Sequence, residues 1–290
     1  VSIPATEFVE NWNSPWDLIR LMINYHVRVK KNAHMINSEL CPGYPNKFQF
    51  GQTSFVEPEE ARELLRHAFI NIDNRGHPRP VIFIGHAIDN DIKVIKDRFG
   101  FDIEALGVVV AILDTQVLAT ESGHVNGYER IRLGDLMCRY DINEEYLHNA
   151  GNDTVCTMVA AMLMATGQSS AGLPAPYQEL KQFHRLYSHL FQIPRFGIHM
   201  YCELCESTNH FASHHEADSF VCNLCRKDAL LSKNFRTHPT DKCLEGIKAA
   251  AKAAIQQDPE DSDSEEETSM RWYPIPCLLC IQSTDPSRYI

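Results

Sequence analysis

Through the first 167 residues, short apolar runs that end on polar residues alternate with apolar positions at helical spacing. Ile23 to Val29 mixes β-branched and aromatic residues and reads as a strand that runs into a polar segment, Lys30 to Ser38. Pro58, followed by Glu59 and Glu60, predicts a helix start, with Leu64, Leu65, Ala68 and Phe69 along one side. Val81 to Ile84, ending at Gly85, and Val108 to Leu113, ending at Asp114, read as buried strands. A helix with Ile92, Ile95 and Phe99 on its inner face follows the first of them. Arg132 to Tyr140 carries Leu133, Leu136 and Met137 at helical spacing, and Val155 to Met164 predicts a helix buried almost all round. The pattern as a whole predicts a mixed α/β fold around a central sheet. From Gly167 to Pro176 the chain turns to Gly, Ser, Ala and Pro, which is linker chemistry, and a helix is expected from Tyr177 to Phe191. Gly246 to Gln257 is helical by Ala and Lys propensity alone, while Asp258 to Glu267 is too charged to pack and is expected to be disordered.

Composition narrows the classes. A chain of 290 residues with 44% hydrophobic and 22% charged residues buries one sizeable core and a smaller module, which excludes a fibrous or wholly disordered protein. No stretch approaches the roughly 18 apolar residues of a membrane helix, and Val1 to Glu10 lacks the pattern of a secretion signal, so a cytoplasmic or nuclear protein without membrane attachment is expected. The net charge of −11 weighs against nucleic acid less than it suggests, because seven acidic residues sit between Asp258 and Glu267, and removing them leaves −4. Seven of the ten cysteines lie in the last third, six of them as three C-x2-C pairs, a spacing that favours metal over disulfides in an intracellular chain.

Two segments carry chemistry. Gly85-His86-Ala87-Ile88-Asp89-Asn90-Asp91 follows a buried strand and opens a helix; His148-Asn149-Ala150-Gly151-Asn152-Asp153 opens the buried helix near the end of the α/β pattern. Phosphodiester cleavage wants hard oxygen ligands for Mg²⁺ or Mn²⁺ and a group near neutral pKa to deprotonate water, for which His148 is the candidate. Taken singly, Asp89, Asp91 and Asp153 are more often helix N-caps. In order and spacing, however, the G-H-x4-D segment, the Asp114-Thr115 step after the next strand and the later H-x4-D resemble the second and third motifs of the DEDDh 3′-5′ exonucleases. The resemblance covers about residues 5 to 167 and implies an RNase H-like fold. It also implies Asp91 and Asp153 as ligands for Mg²⁺ or Mn²⁺, and His148 as general base. The wording from Tyr25 to Phe55 is similar to a fungal branch that includes the Argonaute-interacting (quelling) exonuclease of RNA silencing and Gfd2-like proteins.

One departure stands out. The family's first motif, Asp-x-Glu on an opening strand, supplies two of four metal-binding carboxylates, and no Asp-x-Glu precedes Asp91. Glu7 and Glu10 are the only early candidates, and Thr6-Glu7-Phe8 looks like the strand that follows the motif, so either the chain begins downstream of its first strand or this member has lost the site, and in both cases little or no nuclease activity is expected.

Beyond the linker, Cys202-x2-Cys205-x4-His210-x4-His215 has zinc-knuckle spacing, and Cys222-x2-Cys225-x12-His238-x4-Cys243 repeats the theme with a longer loop. Grouping Cys202, Cys205, Cys222 and Cys225 into one ribbon-like site is the competing assignment, and His214 competes with His215. Five basic and seven acidic residues between Ile198 and Glu245 do not mark a phosphate-binding face, although Tyr201, Phe211, Phe220 and Phe235 are candidates to stack on bases. Cys277 and Cys280 lack visible partners, and Ser262, Ser264 and Ser269 suit an acidophilic kinase. Arg28, Lys30, Lys31 and His34, and separately Arg75, His77 and Arg79, are candidate backbone contacts.

The expected organisation is therefore an RNase H-like domain at 1–168, a linker and helix at 169–197, a zinc-knuckle-like module at 198–245 and an acidic tail at 246–290. The expected function is binding, with impaired hydrolysis, of single-stranded RNA or DNA, with an Argonaute-type or RNA-processing partner. The alternatives are a non-catalytic nucleic-acid-binding or protein-interaction scaffold of RNA silencing or mRNA export, and a zinc-built interaction module.

Overall fold

The computed structural model describes residues 3, 14–35, 44–125, 130–167, 173–191, 196–215, 220–229, 231, 235–236 and 238–257. Glu7, Glu10, the acidic run 258–267, Ser269, Cys277 and Cys280 lie outside the described residues. The chain divides into two units, one made of Val1–Arg28 with Pro42–His199, the other of Val29–Cys41 with Met200–Ile290.

The first unit is mixed α/β. Its opening helix, α1 (Pro15–Arg20), starts at a capping box in which Ser14 accepts from the Trp16 amide and Asp17 accepts from the Ser14 amide. Strands β1 (His26–Val29) and β2 (Thr53–Val56) pair, and α2 (Pro58–Phe69) begins as Pro58 and Glu60 dictate, with Glu60 accepting from the Glu57 amide. Strands β3 (Val81–Gly85) and β4 (Val109–Asp114) form a parallel pair with α3 (Asp89–Phe99) between them in sequence, and the register sets Gly85 beside Asp114. Gly100, at φ 58°, ends α3 in a left-handed C-cap. Helices α4 (Thr115–Glu121), α5 (Leu133–Cys138), α6 (Ala150–Ala165) and α7 (Pro174–Phe191) complete the unit.

Among the described residues the strands make two separate pairs rather than one central sheet. The core is organised by α6 instead. Val155, Cys156, Val159, Ala160 and Leu163 of α6 are buried together with Leu18 and Ile19 of α1, Phe48 and Phe50, and Tyr177 and Leu180 of α7. The expected linker is shorter than its composition suggests: α7 starts at Pro174, because proline suits a first helical position, and its inner face joins this core. A smaller cluster of Phe69, Phe101 and Ile103 packs with Phe83 between α2 and β3.

Among its described residues the regular elements of the second unit are 3-10 turns at Lys30–Asn32, Ala212–His214 and Thr240–Lys242, short α8 (Asn223–Lys227) and α9 (Leu244–Gln257). The boundary expected between 245 and 246 falls inside α9, where the Leu224 side chain lies against Gly246. The cluster recorded here is Cys222, Cys225 and Cys243 with partly buried Leu231 and Phe235. The basic run is divided, Arg28 lying in the first unit over the Phe55 ring and Lys30, Lys31 and His34 in the second.

Candidate active site and cysteine-histidine groups

The end of β4 builds the loop that carries Asp91. Asp114 caps α4 and clamps its neighbour: Oδ1 accepts from the amides of Gln116 (2.8 Å) and Ala87 (3.1 Å), and Oδ2 from the Ile88 amide (3.3 Å). Thr115 donates its hydroxyl to the Gly85 carbonyl at 3.1 Å. The same hydroxyl oxygen therefore accepts from His86 Nδ1 at 2.8 Å, which assigns the proton to Nδ1. Burial holds His86 below the usual histidine range against the Asp114 charge, and its ring braces the Thr115 hydroxyl under the loop. With the loop bent through Ala87 at φ 56°, α3 starts at Asp89 and Asp91 falls in its first turn. Desolvation pushes the Asp91 carboxyl above its ordinary value, and the Asp114 charge adds to the effect.

The second segment is fixed by two asparagines. Asn149 caps α6, accepting from the Gly151 amide (3.1 Å) and the Asn152 amide (3.3 Å), while its Nδ2 donates to the Tyr44 carbonyl at 2.8 Å. Asn152 is fully buried; its Oδ1 accepts from the Gln49 amide at 2.9 Å and its Nδ2 donates to the carbonyls of Lys47 (3.1 Å) and Tyr146 (2.8 Å). Gly151 makes room for them, since a Cβ there would stand 2.6 Å from the Phe48 ring and 2.9 Å from His26. His26 and Phe48 stack at 4.7 Å, and burial drives the His26 imidazole down to about 4.

Asp153 projects from the next position of this turn and accepts from the His148 amide at 3.0 Å. Burial first, with smaller contributions from the charges of Glu144 and Asp91, raises its pKa to about 7 against that hydrogen bond. Helix α6 packs against β3, and Asp91 and Asp153 sense one another electrostatically. His148 is exposed, with its backbone at φ 64°. Its ring is not gathered with the two carboxylates, for among the described residues the groups of three or more side chains close enough to hold an ion both lie in the second unit.

Those groups are Cys202, Cys205, His210 and His215, and Cys222, Cys225, His238 and Cys243, each with ligand atoms within 4.8 Å of one another. The structure thus forms two sets of four rather than one ribbon-like set, and takes His215 rather than His214. Cys225 Sγ lies 3.7 Å from Cys243 Sγ and 3.6 Å from His238 Nε2, and Cys205 Sγ lies 3.4 Å from His210 Nε2. A tetrahedron with metal-sulfur bonds of about 2.3 Å and metal-nitrogen bonds of about 2.0–2.1 Å has edges of about 3.8 and 3.6 Å. Asn209 Oδ1 accepts from His210 Nδ1 at 2.6 Å, which leaves the Nε2 lone pair for a metal. Burial, and then the sulfurs of Cys243 and Cys222, push the Cys225 thiol up to about 12, a cost that a cation at the centre relieves.

Residues 3–164 match the DEDDh family model described as DNA polymerase III subunit epsilon-like, C-terminal domain. The chain belongs to this family. It is also similar to an uncharacterized nucleolar protein of Schizosaccharomyces pombe, 27% identical over 158 residues, which are 51% of this chain and 56% of that protein. The chain therefore spans little more than half the length of that relative.

DEDDh exonucleases use divalent metals; here Asp91 is exposed and Asp153 partly buried, and desolvation and neighbouring acids hold both carboxyls above their ordinary values. In such a site the cation supplies charge stabilisation to a phosphodiester. The DEDDh chain supplies the positions of the two acids, through the Asp114 clamp and the asparagine pins. Sequence reasoning noted Asp114 only as part of a motif and missed Asn149, Asn152 and Gly151. Their signal was the placing of three poor helix formers in the first turn of an otherwise Ala- and Met-rich helix.

Proposed function

We propose that this DEDDh domain, taken to span 1–168, binds single-stranded RNA or DNA with a phosphodiester against Asp91 and Asp153. These two acids would hold Mg²⁺ or Mn²⁺ and His148 would act as general base. The observation that carries the reading is the pair of acids, each in the first turn of a helix tied to the β3–β4 end, close enough that Asp91 raises the pKa of Asp153. Weak hydrolysis is part of the proposal, since Asp91 and Asp153 are the family carboxylates that the tested sequence offers. The experiment is Mn²⁺-dependent degradation of a 3′-labelled oligonucleotide, with filter binding at two salt concentrations. The expected outcome is salt-sensitive binding with little degradation. Robust degradation that disappears in Asp91→Ala overturns the impairment, and binding that is absent or indifferent to salt overturns the nucleic-acid reading.

The second unit is proposed to hold two Zn²⁺ ions in knuckle-like sites, the tetrahedral edge lengths being the support. No helix among the described residues is long and apolar enough to cross a membrane. The nucleolar relative supports a nuclear placement. The wording of Tyr25 to Phe55 supports the fungal Gfd2-like and Argonaute-interacting branch, and with it an RNA-silencing or RNA-processing partner.

A further inference from the structure

Beside the N-terminus of α6 lies a cavity of about 290 Å³, at the small end of the roughly 300–1,000 Å³ typical of ligand sites. One wall is a stripe of α7 at helical spacing, Gln178, Lys181, Gln182 and Arg185; the facing wall brings Asn143, Glu145 and Tyr146 from the loop before His148, and Gln49 closes one side. A polar helix stripe is ordinarily just solvated. Here it faces a concave wall, and the chemistry of that wall is selective.

The two cations are already engaged. Lys181 Nζ sits 2.6 Å from Glu144 Oε2, with the lysine side chain 12% exposed and the glutamate fully buried, and Arg185 donates to Gln49 Oε1. With Glu145 also on the wall, the cavity offers little net charge to a phosphate. What remains is carboxamide: among the described residues Asn143, Gln178 and Gln182 have no hydrogen-bond partner for their side chains. Each presents a donor and an acceptor side by side, the arrangement that pairs with the edge of a nucleobase; the Tyr146 ring beside them is already engaged, edge to face with Tyr44 at 5.8 Å and 5.7 Å from the Lys47 ammonium. The cavity is also tied to the acidic site. Asn152, next to Asp153, bonds the Gln49 amide and the Tyr146 carbonyl, one from each of two walls.

We infer that this cavity is a base-reading subsite that takes one unstacked nucleobase of the single strand bound at Asp91 and Asp153. The inference rests on the nucleic-acid reading of those acids and deepens it. Because the subsite reads a base edge and not the backbone, it contributes preference among bases and almost nothing to salt dependence.

Fluorescence anisotropy of the full chain with 5′-labelled RNA and DNA homopolymers, with Ca²⁺ in place of Mg²⁺ and Mn²⁺ and at two salt concentrations, tests this. The expected result is one base bound roughly fivefold or more above the others. Gln178→Ala and Gln182→Ala, both at exposed positions, reduce that preference to about twofold while the salt slope stays unchanged. The RNA and DNA arms show whether the sugar matters. Binding without base preference, or a preference that both variants leave intact, overturns the subsite alone. Variants that weaken every homopolymer equally and flatten the salt slope make the cavity a backbone site and overturn it as well. Failure of any homopolymer to bind removes the parent reading and the subsite together.

Discussion

Asp153 is subject to two opposed influences: an amide hydrogen bond from His148 that favours the carboxylate, and burial among other acids that favours the neutral form. Burial wins, and the sign of the pH effect follows. Between its ordinary value of 3.8 and about 7 the folded chain keeps a proton that the unfolded chain has released, so stability falls as pH rises through that window. Asp153→Asn is therefore expected to raise stability by roughly 2–4 kcal/mol near pH 8 and to change little near pH 4, as read from urea midpoints across pH. Mn²⁺ should stabilise the parent chain near pH 8 and leave Asp153→Asn unmoved. His148, exposed at φ 64°, is a second strained residue at this corner. His148→Gly is expected to gain about 0.5–1 kcal/mol by relieving the left-handed backbone while removing the proposed base. A loss of stability in that variant would mean that the imidazole makes a contact the fold needs.

Among the elements, α6 is the one whose placement decides most. Gly151→Ala should cost about 1–3 kcal/mol in urea unfolding, because the added methyl meets Phe48 and His26 in a packed seam that cannot yield. Asp114→Ala should cost a similar amount, since three amides lose one charged acceptor. Legibility in the sequence divides along the same lines. Strands β3 and β4 and helices α2, α3 and α6 were readable from unbroken or regularly spaced apolar sets, but β3 and β4, expected to be buried, leave Ile82, Val110 and Ile112 exposed. Residues 44–50 were not. They are held by Asn149 and Asn152 from about 100 positions away, and long-range side-chain bonds to backbone leave no local period. The start of α7 was misplaced because Pro and Ala were read as linker, when Pro174 is a helix opener whose following face is buried by tertiary packing. The cavity on that helix escaped for the converse reason: its glutamines look like ordinary solvent-facing positions until the opposite wall is in place.

At the level of the whole molecule, two kinds of folding logic share one chain. The first unit buries a large apolar cluster around α6; the described residues of the second bury four cysteines, Cys202, Cys222, Cys225 and Cys243, with Tyr201 and Ala33. The two proposed zinc ions would then supply much of its stability. Purified chain is expected to carry about two equivalents of zinc by mass spectrometry, falling to about one in Cys205→Ser and in Cys225→Ser. Chelation should expose 200–257 to protease while 44–167 stays protected. Zinc below one equivalent in the parent chain would sink the two-site proposal.

The second unit is also assembled from two stretches of sequence, Val29–Cys41 and everything after His199. During synthesis the early stretch leaves the ribosome long before its companions exist. At about 5–20 residues per second, roughly 10–30 s pass before Met200 follows Cys41 out. For that interval Lys30, Lys31 and His34 belong to no finished structure, and a chaperone or a nucleic acid has first access to them. A version of the second unit produced from residue 200 onward would lack the same strip for good, so its recovery in soluble, metal-loaded form should require the 29–41 peptide to be supplied alongside.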